Sequence, residues 1–217
     1  MRQLVSIAAA VLIAGMVQIM TSLPAAAQAV AGKDYVAVNP AQPTESKGKV
    51  EVLEFFSYGC PHCGEFEPLL DKWAKTQGKD VEIRRVPITF GREVWIPLAK
   101  MYYALEALGE LDRMHGVVFD AMHNQRVPLN VEAAQFEWIA GKGIDAKKYQ
   151  DVYKSFTVQS KVARAQQVAA AYKISGVPTM AVGGRFMTSA SLTGSHEGML
   201  HTLDQLIVSA RADMAKK

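Results

Sequence analysis

The chain has few cysteines. It contains only two in 217 residues, and both lie in the tetrapeptide Cys60-Pro61-His62-Cys63. This number excludes a small secreted scaffold held together by several disulfides. A bridge across two intervening residues removes little entropy from the unfolded chain and adds little stability. The pair therefore indicates chemistry rather than a structural link, and stability must come from a hydrophobic core.

Net charge is also small. The chain carries 24 basic and 21 acidic residues, which gives a formal charge of +3 near neutral pH. Nucleic acids and anionic membrane surfaces attract strongly basic faces. This charge balance indicates neither of them as a partner, and no nucleic acid is expected to bind.

Apolar residues dominate only one long stretch, at the N-terminus. Arg2 is followed by an apolar run over residues 4–20 and then by small residues that end at Ala29. This pattern is typical of a secretory signal with an Ala-x-Ala cleavage site. The alternative is an uncleaved membrane anchor, but Gln18 and Pro24 fall inside the roughly 20 apolar residues that a span requires. Export would place both cysteines in an oxidising compartment.

The spacing of apolar residues predicts an α/β beginning of the folded part. Residues 50–56 are β-branched, aromatic and almost continuously apolar, as in a central parallel strand. A helix is expected to start between Cys60 and His62 and to end near Gly78, with a kink at Pro68. A strand over residues 81–88 completes a strand-helix-strand unit, which should be parallel and right-handed.

Strand patterns disappear after residue 91 and return near the C-terminus. Helices are predicted over residues 97–108, 111–124, 131–140, 145–156 and 161–172. Two short strands, 179–182 and 185–188, should form a tight antiparallel hairpin, and a final amphipathic helix follows. A short strand is expected within residues 35–38. The resulting division is a signal peptide (1–29), two segments of one α/β domain (30–91 and 161–217) and an inserted helical domain (92–160).

The chemistry of the tetrapeptide depends on its place at a helix start. With Cys60 as the N-cap residue, Pro61 takes the first helical position, where its missing N–H costs nothing. Free backbone N–H groups and the helix dipole then favour a Cys60 thiolate, and His62 adds a donor or a positive charge beside the same sulfur. A stabilised thiolate makes the disulfide a stronger oxidant. Cys63, one turn in and facing the sheet, should be the shielded resolving thiol.

The histidines offer an alternative use for the two cysteines. His196 and His201 are separated by four residues and could join the cysteines in a zinc site. The sequence gap is far longer than in a zinc finger, and both histidines lie on a helix whose apolar stripe covers the core. His115 and His123 show no ligand spacing, so surface or helix-packing roles are expected for them. We predict no metal and no cofactor.

These motifs carry a resemblance to a known family. The stretch from Val52 to Cys63, the later Gly176-Val177-Pro178 and the helical segment between them resemble the DsbA family of periplasmic thiol-disulfide oxidoreductases, in the thioredoxin superfamily. The resemblance covers essentially the whole chain after the leader. It implies an α/β thioredoxin fold with an inserted α-helical domain.

The resemblance also implies roles for the residues of the tetrapeptide. Cys60 is similar to the nucleophilic cysteine that forms a brief bond with a substrate sulfur, and Cys63 is similar to its buried partner. Pro61 and His62 match the dipeptide that sets redox strength. Gly64 departs from the family, where larger side chains are common, and this glycine should loosen the first helical turn.

Three further residues are implied by the same resemblance. Pro178, after Val177, matches a cis-proline that faces the active site and helps to bind substrate. Glu54 matches a buried acid beneath the disulfide. The alternative for Glu54 is a solvated strand residue, but its apolar neighbours Leu53 and Phe55 argue against full exposure.

The function implied is that of a monomeric dithiol oxidase in the periplasm. It would act on newly exported, unfolded proteins, and a membrane quinone-linked partner similar to DsbB would reoxidise it. An isomerase or a reductase is an alternative, although such relatives usually carry a dimerisation domain for which residues 30–49 leave little room. A non-catalytic chaperone or peptide-binding module with paired cysteines is the alternative from a different class.

We predict that the exported protein begins at Val30, because the Ala-x-Ala site ends at Ala29. N-terminal sequencing of the exported form checks this, and a sequence that starts at Met1 would contradict it.

Overall fold

A five-stranded mixed sheet forms the centre of the protein. The computed structural model describes residues 28–215, so the predicted signal peptide lies outside the described residues except for its last two. The strand order is β1-β5-β4-β2-β3. The strands are β1 (Val36–Ala37), β2 (Val50–Phe56), β3 (Val81–Pro87), β4 (Thr179–Val182) and β5 (Phe186–Ser189).

Strand β2 lies in the interior of the sheet, and all seven of its residues are buried. It pairs in parallel with β3 and antiparallel with β4, and β4 pairs with β5 in the predicted hairpin. Its side chains alternate between the two faces, as the period of a strand requires. Val52 joins the core beneath α1 and α8, whereas Leu53 and Phe55 join the core shared with the helical section.

Eight α-helices cover the sheet within the described part of the chain. They are α1 (Pro61–Ala74), α2 (Ile96–Ala107), α3 (Leu111–His123), α4 (Glu132–Ala140), α5 (Ala146–Tyr153), α6 (Phe156–Ala171), α7 (Ala190–Thr193) and α8 (His196–Met214). Helices α2 to α5 and part of α6 form the helical section between β3 and β4. Among residues 28–215, no helix is both long and apolar enough to cross a membrane.

Most predicted elements are confirmed, and the differences occur at their ends. Helix α1 ends at Ala74 rather than near Gly78. Helix α6 begins at Phe156 rather than Lys161, because the Ser155 hydroxyl accepts a hydrogen bond from the Val158 N–H and caps the helix there. The predicted boundary between the inserted helical domain (92–160) and the second α/β segment (161–217) therefore lies inside α6. Helix α7 and a single 3₁₀ turn before α2 were not predicted.

Candidate active site

Helix α1 places Cys60 at the end of the central strand. Cys60 is the N-cap residue, with φ −100° and ψ 116°, and Pro61 follows at the first helical position, as predicted. The exposed fraction of Cys60 is only 8%. Its Sγ lies 3.5 Å from the carbonyl oxygen of Val177, so the loop before β4 forms one wall of the site.

The environment of Cys60 favours its thiolate. Its pKa is lowered from 9.0 to about 6, first by a hydrogen bond from the Cys63 thiol and then by the backbone N–H groups of Cys63 and His62. The charge of His62 makes the smallest of these contributions, and partial burial opposes them. A pKa near 6 means that Cys60 is mostly thiolate at neutral pH.

Cys63 has the opposite character. It is wholly buried one helical turn after Cys60, and both thiols are free in this structure. Burial raises the pKa of Cys63 far above its ordinary value, and its proximity to Cys60 raises it further. The two sulfurs are therefore sharply different: one is a thiolate near the surface and the other holds its proton in the core.

His62 lies on the surface, in the first turn of α1. Its side chain is 73% exposed, and its Nδ1 lies 3.1 Å from Oε2 of Glu65. This hydrogen bond, together with the charge of Glu65, raises the pKa of His62 above 6.5. The charge of His62 lowers the pKa of Cys60, but the backbone N–H of His62 contributes more than its ring.

Glu54 lies in the sheet and is wholly buried, so a solvated strand residue is not what the structure shows. Its Oε2 lies 3.1 Å from the Nε of Arg85 on β3. Desolvation raises the pKa of Glu54 from 4.5 to about 8; the charge of Arg85 opposes this shift and that of Glu67 adds to it. The electrostatic influence of Glu54 also reaches Cys63, whose pKa it raises slightly.

The peptide bond between Val177 and Pro178 is cis, as predicted. The Val177 carbonyl faces Cys60, and Met180 and Ala181, which follow, are buried in β4. A second cis bond, between Asn39 and Pro40, was not predicted.

Gly64 permits a close approach between α1 and α3. A Cβ at this position would lie 3.1 Å from Cδ2 of His123 and 3.3 Å from Cδ1 of Phe119. His123 also bonds through Nε2 to the carbonyl oxygen of Tyr58, at 2.8 Å. Helix α3 therefore packs closely against the first turn of α1, which is supported rather than left loose.

The family model for a DsbA-like thioredoxin domain matches residues 51–197. This chain belongs to the DsbA-like thioredoxin family. The thiol:disulfide interchange protein DsbA of Bordetella parapertussis is 46% identical to it over 187 residues, which are 86% of this chain and 88% of the relative. The protein of the same name from Pseudomonas aeruginosa is 37% identical, with the same coverage of both chains.

Solved DsbA structures share the fold. The crystal structure of Pseudomonas aeruginosa DsbA has a TM-score of 0.81 at 37% identity and covers 87% of this chain and 97% of that chain. The DsbA of Xylella fastidiosa has a TM-score of 0.80 at 34% identity and covers 86% and 100%. The DsbA-like chain is accordingly a disulfide oxidoreductase with a thioredoxin fold and an inserted helical domain.

Four residues near Glu54 were not assigned to the site in the sequence analysis. They are Tyr58, Glu67, Arg85 and His115. Arg85 donates through Nε to Glu54 and through Nη2 to Oε1 of Glu67, the latter at 2.9 Å. His115, expected in a surface or helix-packing role, is buried with its Nδ1 2.7 Å from the Tyr58 hydroxyl. One signal was available in the sequence, because Glu67 follows Cys63 by four residues and so lies on the same helix face.

The histidines considered for a zinc site have other partners. The His196 ring packs against Phe66 at 5.1 Å, and His201 is hydrogen-bonded to Gln205. Among the described residues, neither cysteine belongs to a cluster with the geometry of a metal site.

We predict that His62→Leu raises the pKa of Cys60 above about 6 but leaves it below 9.0, because the Cys63 thiol and the backbone donors remain. The ultraviolet absorbance of the thiolate, followed against pH, measures this. His201→Leu, which removes an exposed histidine on α8, is the control. An unchanged titration, or a return to 9.0, contradicts the prediction.

Proposed function

We propose that the DsbA-like chain donates the Cys60–Cys63 disulfide to unfolded proteins after their export to the periplasm. The observation that carries this proposal is the contrast between the two sulfurs. Cys60 is stabilised as a thiolate, and this favours the reduced state of the enzyme and makes its disulfide oxidising. A structural bridge would gain nothing from such stabilisation.

The reaction follows from this contrast. A substrate thiolate attacks Cys60 Sγ, a mixed disulfide forms, and the Cys60–Cys63 bond breaks with its electron pair on Cys63. A second substrate thiolate then attacks the substrate sulfur of the mixed disulfide. This step releases the substrate disulfide and leaves the Cys60 thiolate, which is a good leaving group because its pKa is low.

Glu54 supplies the proton that the buried Cys63 needs. A carboxyl group with a pKa of about 8 is mostly protonated at neutral pH, so it can act as a general acid when Cys63 leaves and as a base when Cys63 attacks. Pro61 contributes by fixing the helix start.

The surface beside Cys60 suits unfolded protein chains. Trp95 lies so close to Gly59 that a Cβ there would meet its Nε1 at 2.6 Å, and Phe90 packs against Trp95. Val94 on the same turn is 55% exposed. Apolar side chains on one side and the Val177-Pro178 backbone on the other can hold an extended segment without reading a specific sequence. The same surface could receive a membrane partner similar to DsbB that restores the disulfide to the monomeric enzyme.

Equilibration with graded mixtures of reduced and oxidised glutathione tests the direction of the reaction. The proposal expects the Cys60–Cys63 disulfide to be lost under mildly reducing mixtures and to be transferred to a reduced, unfolded protein. A disulfide that survives strongly reducing mixtures would instead support a peptide-binding module with a structural bridge.

The roles of the two sulfurs are tested by alkylation near neutral pH. Cys63→Ser should react rapidly with iodoacetamide through Cys60, whereas Cys60→Ser should react slowly because Cys63 is buried and protonated. Equal rates for the two variants would contradict the assignment.

We predict that Glu54→Gln removes the limb of the pH-rate profile near pH 8. It should also change stability, because folded Glu54 keeps its proton up to a pKa of about 8 whereas the unfolded group releases it near 4.5. Its protonated form therefore favours folding at low pH, and this contribution is lost as pH rises from 4.5 through 8. Denaturant titrations should show that slope for the wild type and a smaller slope for Glu54→Gln. Identical profiles would leave Glu54 without this role.

A further inference from the structure

The loop after β3 has a backbone conformation that its sequence disfavours. The Arg92 N–H donates to the Thr89 carbonyl oxygen at 2.8 Å and closes a tight turn, the 89–92 turn. Its two central residues, Phe90 and Gly91, both have positive φ values, of 49° and 70°. Turns with positive φ at both central positions favour Asn-Gly or Asp-Gly, and a bulky residue with positive φ is strained. Local preference therefore does not explain Phe90 at this position.

The position of the Phe90 ring explains the strain. The ring centroid lies 6.0 Å from that of Trp95, yet Phe90 is 39% exposed. Trp95 in turn lies against Gly59, the residue before Cys60, and these two aromatic rings are called the aromatic wall below. A ring that stays partly in solvent gains less from burial than a core residue does. Strained backbone of this kind occurs at binding sites, where the surrounding structure holds it in place.

One amide on α6 holds the start of this turn. Gln166 Oε1 accepts hydrogen bonds from the backbone N–H and the hydroxyl of Thr89, both at 3.0 Å. Its Nε2 donates to the carbonyl oxygens of Pro87, at 3.4 Å, and of Val162, at 3.3 Å. A glutamine amide has two acceptor sites and two donors, so this side chain uses its full capacity. Its oxygen must face Thr89, because a backbone N–H can only donate.

These bonds continue the sheet into the turn. One residue before Thr89, the Ile88 N–H still bonds to the carbonyl oxygen of Phe56 on β2. Thr89 itself bonds to Gln166, and its hydroxyl also accepts from the Gly91 N–H at 3.3 Å. Gln166 therefore fixes the direction in which the chain enters the turn.

We propose that Gln166 is a positioning residue for substrate binding, because it holds the 89–92 turn and thereby keeps the aromatic wall beside Cys60 before a substrate arrives. The inference rests on the oxidase function and adds a residue that sets its preference among substrates. The favoured substrate is an extended segment of an unfolded protein with apolar side chains next to its cysteine. A wall that is ordered before binding lowers the entropic cost of binding. Gln166 acts only through the turn.

The test compares two thiol peptides as reductants of the oxidised enzyme, with second-order rate constants measured by stopped flow. One peptide has leucine and phenylalanine beside its cysteine, and the other has glycine and serine there. The wild type should react faster with the apolar peptide, and the ratio of the two rate constants is its preference. Dithiothreitol, which has no side chains to meet the wall, measures the reactivity of the disulfide alone.

The main variant is Gln166→Met, which keeps the length of the side chain and its tendency to form helix but loses the amide. We expect its rate constant for the apolar peptide to fall about tenfold, as if the wall were correctly placed in one molecule in ten. The rate constants for the glycine-serine peptide and for dithiothreitol should stay at the wild-type values.

Two further variants separate this role from a general effect on the fold. Thr89→Val removes only the hydroxyl and should lower the preference less than Gln166→Met does, which keeps the test available if the methionine variant folds poorly. Gln167→Met is the matched control. It changes the next residue of α6, which lines a cavity beside residues 42–45, and its preference should be that of the wild type.

A double-mutant cycle shows whether Gln166 acts through the turn. Phe90→Asn should lower the preference because a ring is lost, but asparagine followed by glycine favours this turn without help. Adding Gln166→Met to Phe90→Asn should then change the rate constants by no more than about twofold, the usual error of additivity.

Four outcomes would overturn the proposal. One is a wild-type preference in both Gln166→Met and Thr89→Val. Another is an equal loss of rate with dithiothreitol and both peptides, since Cys60 itself would then be disturbed. The third is a full tenfold effect of Gln166→Met in the Phe90→Asn background, and the fourth is a wild type that oxidises both peptides equally fast. A wild type that oxidises neither peptide would instead contradict the oxidase function.

Discussion

The start of α1 at Cys60 is the constraint on which the site depends. An N-cap residue lies at the open donor end of the helix, whereas the residue three positions later lies one turn inside, against the sheet. Cys60 therefore receives backbone N–H groups and the thiol proton of Cys63, and Cys63 is buried. The same helix start thus lowers the pKa of Cys60 and raises that of Cys63. Both effects follow from the spacing of the two cysteines, three positions apart on one helix.

Because Cys63 is buried, the proton that it gains or loses must be exchanged with a buried acid. A buried acid in turn requires a nearby positive charge when it ionises. Arg85 meets both Glu54 and Glu67, but one guanidinium can balance only one carboxylate. Ionising both carboxyl groups in a dry site is unfavourable, so one of them keeps its proton. Glu54 is the more buried of the two and has the raised pKa. Desolvation of Glu54 is therefore the main reason that a proton stays available beneath the sulfurs, and the charge of Glu67 adds to it.

The parts of the structure that local patterns specify were predictable from the sequence. The continuous apolar run of β2, the proline after Cys60 and the paired glycines of the hairpin each determine the backbone over a few residues. The helix start at Phe156 was missed because it depends on one Ser155 hydrogen bond rather than on apolar spacing. Arg85, Glu67 and His115 come from a strand and two helices, so only the tertiary fold shows that they meet. His62 acts on Cys60, because its backbone N–H and its charge both lower the pKa of that thiol. The contact of its ring with Glu65 depends on the rotamer, which the spacing along the chain does not determine.

The inserted helical section contributes directly to the redox site. Tyr58, two residues before Cys60, is bonded at its hydroxyl by His115 and at its carbonyl by His123, and both histidines lie on α3. Because Gly64 has no side chain, α3 packs against the first turn of α1 and keeps both contacts short. The thioredoxin-like part supplies the helix start and the buried acid. The insertion holds the loop before the nucleophile and adds an imidazole beside that acid, so the properties of the disulfide depend on residues far from it in sequence.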